Sequence, residues 1–220
     1  SVSAFLLNRS SDLAIGGSFD GYQYLQSMNH HLEPIFPSLV PVVTDQQSIS
    51  GLSGIRIRSI VSLTDGNTVI HKEKGEVLFT EYGLSGICVM QCSRFINKTG
   101  LNVELDFFSD IFNSENDAYA EIKERTKRFG NMSPLMLLDG ILLPKLSFAV
   151  LKQAGISLKK EKADVLSDEE LKKIIRSAYH YKVKVIKTKS LDEAQVTAGG
   201  FRCSEFNPET MESTLVKGLF

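Results

Sequence analysis

The sequence has no tryptophan, and only three of its 220 residues are cysteine. Cys88, Cys92 and Cys203 are odd in number and form no CxxC pair. That pattern offers no disulfide scaffold and no thiolate zinc site, and it points to a reducing cytoplasm. The four histidines, His30, His31, His71 and His180, have no HxxxH spacing, so no metal centre is predicted. No GxGxxG is present, which removes the turn that seats a dinucleotide pyrophosphate on a helix N-terminus. The nearest imitation, GLSGIRIRS from Gly51, leads into a strand-like pattern. No apolar run approaches the roughly 20 residues needed to span a bilayer; Leu135 to Leu143 is the best candidate and contains Asp139. The N-terminal SVSAFLLNRSSD lacks the basic start and cleavage site of a signal peptide. Charge of one sign is also lacking: 25 basic and 26 acidic residues leave a formal charge of -1. That balance argues against a general nucleic-acid binder, and neither nucleic acid nor membrane is expected as a partner.

What is present is an ordinary globular composition, 42% hydrophobic, with enough length to bury a core. Three textures follow one another. From about Leu13 to Leu105 the chain reads mainly as strands. Arg56 and Arg58 alternate with Ile55, Ile57 and, beyond Ser59, Ile60. Asp65-Gly66-Asn67 is a hairpin turn signal, EVLFTEY and NVELDFF are further strands, and one helix is predicted over Ser85 to Phe95. From about Asp106 to Tyr179 the chain is helical. Ser114 with Asp117 caps one helix, which Gly130 ends. Ser133-Pro134 and Pro144 start two more, and Gly155 closes the second. Ser167 and Glu170 form a capping box, after which Leu171, Ile174, Ile175 and Ala178 share one face. The texture then returns to strand in KVKVIKTKS, with Val183 and Val185 facing one way and a solvated lysine face opposite. Strands interrupted by helices predict an α+β fold in which the last strand completes the first sheet.

Five segments, in order, resemble one family, the bacterial NAD(P)/FAD-dependent oxidoreductases of the aminoacetone-oxidase-like flavoprotein group. They are LAIGGSFDGY from Leu13, PSLVPV from Pro37, GEVLFTEYGLSG from Gly75, AQVTAGGF from Ala194, and NPETMEST followed by KGLF. The departures are Ile15 where the family usually has Thr, a short loop between Gly17 and Gly21, and Ile87 where the family has Pro. The resemblance implies a Rossmann-like FAD domain that carries a β-barrel insert, itself interrupted by a small helical domain. On that reading, residues 1–36 are a stub of the FAD-binding domain and a linker. Residues 37–105 with 180–196 form the barrel, 106–179 the helical subdomain, and 197–220 the return segment to the FAD-binding domain.

The resemblance also suggests site residues. Gly16, Gly17, Thr197, Gly199 and Gly200 are the cofactor-binding candidates, acting only together with the rest of the FAD domain. At the glycines the alternative is a plain strand-to-loop turn. Thr80, Tyr82, Ser85, Gly86, Thr210 and Met211 are the substrate-pocket candidates; an ordinary helix cap is the alternative at Ser85. Glu212 is weighed as a base against the commoner fate of a solvated carboxylate. Cys88 and Cys92, four residues apart, read as core thiols. No catalytic residue is assigned. Two functions follow: a fragment of an FAD-dependent oxidoreductase, inactive and without flavin on its own, or a stand-alone, non-catalytic interaction module. The small-molecule substrate stays unnamed, and a homodimer through the face turned to the FAD domain is one expected assembly.

Overall fold

The computed structural model describes residues 20–157 and 162–220. Helix α1 (Asp20–Ser27) leads into β1 (Leu32–Ser38), β2 (Val42–Thr44), the short α2 (Gln46–Ile49), β3 (Arg56–Asp65) and β4 (Thr68–Phe79). Next come β5 (Gly83–Ser85), α3 (Ile87–Ser93) and β6 (Asn102–Asp106). The helical block consists of α4 (Glu115–Phe129), a 3-10 turn (Pro134–Leu138), α5 (Pro144–Gln153) and α6 (Asp168–Tyr179). The chain then returns as β7 (Tyr181–Thr188) and β8 (Val196–Phe201).

Six strands close into an antiparallel barrel in the order β2-β5-β4-β3-β6-β7, and β2 pairs with β7 to seal it. The long β3–β4 hairpin turns through Gly66 (φ 57°) and Asn67, between the paired residues Asp65 and Thr68. Alternate residues fill the interior: Val61 and Leu63 from β3, Val77 and Phe79 from β4, Val103 and Leu105 from β6, Val183 and Val185 from β7. One expectation changes. Ile60 does not share a face with Ile57; it is only partly buried and lies on the other side of β3 from Ser59 and Val61. The inward phase runs through Ser59, which is buried because its hydroxyl donates to the Asp106 carbonyl at 3.0 Å. A polar residue in an interior position conceals the period of two.

The helix signals match the structure closely. Ser114 Oγ accepts from Asp117 N–H at 3.1 Å, and Ser167 and Glu170 make a complete capping box. Ser133 caps a 3-10 turn rather than an α-helix, and Gly140 (φ 73°) follows directly on its C-cap, Asp139. The helix predicted over Ser85 to Phe95 is shorter, Ile87–Ser93.

Leu171, Ile174, Ile175 and Ala178 of α6 are buried in the same continuous core as the barrel interior. Phe107 N–H donates to the Ala178 carbonyl at 2.9 Å, and the Phe107 ring lies 5.5 Å from that of Tyr181. Helical block and barrel therefore share one hydrophobic body. Among the described residues no helix is long and apolar enough to cross a membrane.

β1 and β8 form a separate two-stranded antiparallel ribbon, in which Ser38 pairs with Val196. The register shifts between Glu33 and Phe36, so Pro34 and Ile35 oppose the single residue Gly199. Among the described residues the outer edges of this ribbon carry no further strand, and this is where Pro34 and Pro37 sit without breaking a ladder.

Because the core is shared, Leu105→Ala in the barrel and Ile174→Ala in the helical block should each cost about 2–5 kcal/mol. Both should shift one cooperative denaturation transition. Two separable transitions in urea would show instead that the halves unfold independently.

Candidate functional site

The described candidates gather in two places: around the β1–β8 ribbon with the chain that follows it, and at the β4–β5 turn. Gly16 and Gly17 lie outside the described residues.

At the ribbon, Thr197 is buried and pairs with Pro37, and Gly200 pairs with Glu33. Gly199 has φ +87°, and a Cβ there would meet the Pro34 carbonyl oxygen at 2.0 Å. The open side of this glycine is occupied by the bulge of β1. Among the described residues, then, this close approach of backbone is made to β1, and it supplies no open cradle for a pyrophosphate.

At the β4–β5 turn, the Thr80 hydroxyl donates to the Gly83 carbonyl at 3.0 Å, and Gly83 N–H lies 3.1 Å from the same hydroxyl oxygen. The Tyr82 ring lies beneath the Lys189 ammonium, 4.3 Å from the ring centroid, a cation–π contact that ties the turn to the end of β7. Ser85 pairs with Leu78, while Gly86 is the N-cap of α3 and makes no side-chain cap. With φ +103° and Glu76 O only 2.2 Å from where a Cβ would stand, Gly86 admits no side chain. Ile87 beside it is among the most exposed large apolar residues of the chain. Cys88 and Cys92 are buried core thiols. Desolvation pushes the Cys92 thiol up to about 12, so it stays protonated and unreactive at neutral pH.

Thr210 and Met211 belong to a tight turn after β8. Asn207 Oδ1 accepts from Glu209 and Thr210 N–H at 2.8 and 3.1 Å, and Met211 takes φ 66°. Glu212 accepts from Gly218 N–H at 2.8 Å, which gives this carboxylate a role in holding the terminal loop.

Sequence reading missed the polar centre of this region. His30, 3% exposed, stacks on Phe206 at 4.8 Å between centroids. Its Nδ1 lies 3.1 Å from Glu205 Oε2, and its Nε2 lies 3.0 Å from Ser213 Oγ. Glu205 also accepts from His31 N–H at 3.0 Å, and its other oxygen lies 2.6 Å from His31 Nδ1. Ser213 Oγ accepts from Leu215 N–H at 3.0 Å and from Val216 N–H at 2.9 Å. Those two bonds use its lone pairs, so its one proton is donated to His30 Nε2. His30 is then the neutral tautomer with its proton on Nδ1, donated to Glu205. Serine, histidine and carboxylate stand in the order of an acyl-transfer triad. The serine is buried and its acceptor sites are filled, so it is a clasp and not a nucleophile. No spacing signal could have found it, because the partners are 174 to 183 residues apart.

Burial opposes ionisation of Glu205, but the His31 backbone, the His31 ring and the His30 ring outweigh it and hold the carboxyl below the usual glutamate value of 4.5. A lowered pKa adds stability above the unfolded value that is lost as pH falls through the folded one. Glu205→Gln should therefore lower the unfolding free energy at pH 7 by about 1–3 kcal/mol. It should also flatten the acid limb of the stability curve below about pH 4.5, which thermal melts across pH would show. Equal stability of the two proteins at pH 7 would remove the clasp.

A family model described as HI0933-like protein barrel and H2TH domain matches residues 36–196. The 3-dehydro-bile acid delta(4,6)-reductase of Clostridium scindens is 30% identical over 222 residues, covering 94% of this chain and 51% of the relative. The ribosomal RNA dihydrouridine synthase of Haemophilus influenzae is 26% identical over 211 residues, covering 94% of this chain and 49% of the relative. The chain thus spans about half the length of the curated relatives it matches.

Proposed function

The chain belongs to the HI0933-like barrel and H2TH domain family, which is related to flavoprotein oxidoreductases, and from that premise we propose that it is the insert that covers the substrate in an FAD-dependent oxidoreductase. The observation that carries this is the β1–β8 ribbon. The chain enters the barrel after Ser38 and leaves it before Val196, and those two residues are paired. Gln195 N–H donates to the Leu39 carbonyl at 3.2 Å at the same crossing. A domain whose way in and way out are hydrogen-bonded to each other is attached to its host at one place, as an insert is. The matched segment, residues 36–196, starts and stops at that crossing.

In this reading FAD supplies the redox chemistry and is held by sequence beyond these 220 residues. The described part of the ribbon has no cradle for it, since the space beside Gly199 is filled by Pro34. The barrel and helical block shape the cavity over the flavin and keep water from it. The two relatives are named for substrates as unlike as a 3-dehydro-bile acid and ribosomal RNA, so membership carries no substrate over to this chain.

The 220-residue chain should purify colourless and take up no stoichiometric FAD in equilibrium dialysis. A yellow complex that survives gel filtration would sink the assignment of flavin binding to sequence beyond this chain.

A second reading rests on exposed apolar side chains around the ribbon: Tyr24 (68%), Phe36 (43%), Leu215 (51%) and Phe220 (68%). A stand-alone interaction module would cover them with a second copy. Light scattering should then show a dimer whose population rises with concentration, whereas a strictly monomeric chain favours the insert.

A further inference from the structure

The formal charge of -1 conceals a strong local imbalance. From Leu171 to Lys189 there are seven lysines and arginines and no acidic residue, so the rest of the chain carries -8. This segment is β7 and the part of α6 beyond its acidic first turn (Asp168, Glu169, Glu170), and together they form one wall of a groove of about 970 Å³ between the helical block and the barrel. Lys173 and Arg176 stand at i and i+3 on α6, on the face opposite its buried apolar stripe, and His180 is the C-cap of the helix. Lys182 and Lys184 come from the outer face of β7.

The two acids in the groove are already engaged. Glu104 binds His180 at 3.2 Å and Lys182 at 3.3 Å. Asp45 caps α2 through Ser48 N–H at 2.9 Å and accepts from Lys184 N–H at 2.9 Å. Lys173, Arg176 and the Lys184 ammonium make no ion pair among the described residues. The wall is held in shape by Gln153 of α5, which both donates to the Lys182 carbonyl and accepts from Lys182 N–H. Asn67 and Asn102 add amide donors and acceptors. No aromatic ring of Phe or Tyr lines the groove, so there is no platform on which bases could stack.

We propose that this groove binds the sugar–phosphate backbone of a nucleic-acid strand. Uncompensated cations on adjoining elements match a continuous line of charge, the amides match sugar and phosphate oxygens, and the missing stacking platform makes recognition insensitive to sequence. The inference does not rest on the flavoprotein reading, because it concerns binding by this chain without flavin.

The test is fluorescence anisotropy of the 220-residue chain with a labelled RNA strand, a DNA strand of the same sequence, and polyglutamate of equal charge. With about three phosphates neutralised, log K should fall with log salt at a slope of about -2 to -3. A triple variant, Lys173→Glu, Arg176→Glu and Lys184→Glu, should bind about tenfold or more weakly. Lys74→Glu with Lys98→Glu, on other strands and loops and already paired with Asp110 and Asp65, should change little. Tighter binding of one strand names RNA or DNA as the source of the backbone, and equal binding leaves the backbone alone as the determinant. All three outer side chains are exposed, and circular dichroism checks that the triple variant still folds. No binding at low salt, unchanged binding by a folded triple variant, or polyglutamate bound as tightly as either strand would each overturn the proposal.

Discussion

A three-residue strand holds the architecture together. Val42 of β2 pairs with Leu84 of β5 on one side and with Thr188 of β7 on the other. The two partners lie 104 positions apart in the chain, and the whole helical block is spent between them. Closing so long a loop costs entropy that short-range contacts do not repay. The compensation comes from the continuous core, in which the apolar face of α6 packs with Phe107 and Tyr181 at the end of the barrel. The closure in turn fixes where the chain crosses itself, since β1 and β8 lie next to β2 and β7 in sequence and pair as soon as the barrel is sealed.

What could be read in the sequence was what has a short period or a local cap. The alternation in β7, the turn at Gly66-Asn67, the capping box at Ser167 and the apolar face of α6 all depend on neighbours within four residues. The barrel's closure was not legible in that way. β2 and β5 have three residues each, too few to show a period. The phase of β3 was misjudged at Ile60 because Ser59 satisfies its hydroxyl on a carbonyl 47 residues away. The His30–Glu205–Ser213 clasp was invisible for the same reason on a larger scale. Among the candidate site residues, the sequence located the crossing but not its chemistry, and Glu212 drew attention that belongs to Glu205.

The motif segments acquire a common meaning in the structure. PSLVPV is the path from β1 into β2. GEVLFTEYGLSG runs from β4 through the Thr80 turn to the N-cap of α3. AQVTAGGF is β8, with the bulge partner Gly199, and NPETMEST contains Ser213 of the clasp. Each segment marks a place where backbone meets backbone too closely for a side chain or where a turn must hold one shape. The signature therefore describes the junction and the seam of the barrel rather than its walls.

The charge distribution follows from the same construction. α6 and β7 each bury one face in the shared core, so each has a single outer face, and beyond the acidic first turn of α6 both outer faces carry cations without acids. A whole-chain balance averages that wall against an acidic remainder and hides it. β7 begins at the groove, where Lys182 and Lys184 stand, and ends at Thr188, where it seals the barrel against Val42. Lys189, one residue further, lies over Tyr82 and donates its N–H to the Pro41 carbonyl. One strand thus runs from the cationic wall to the crossing where β1 and β8 pair.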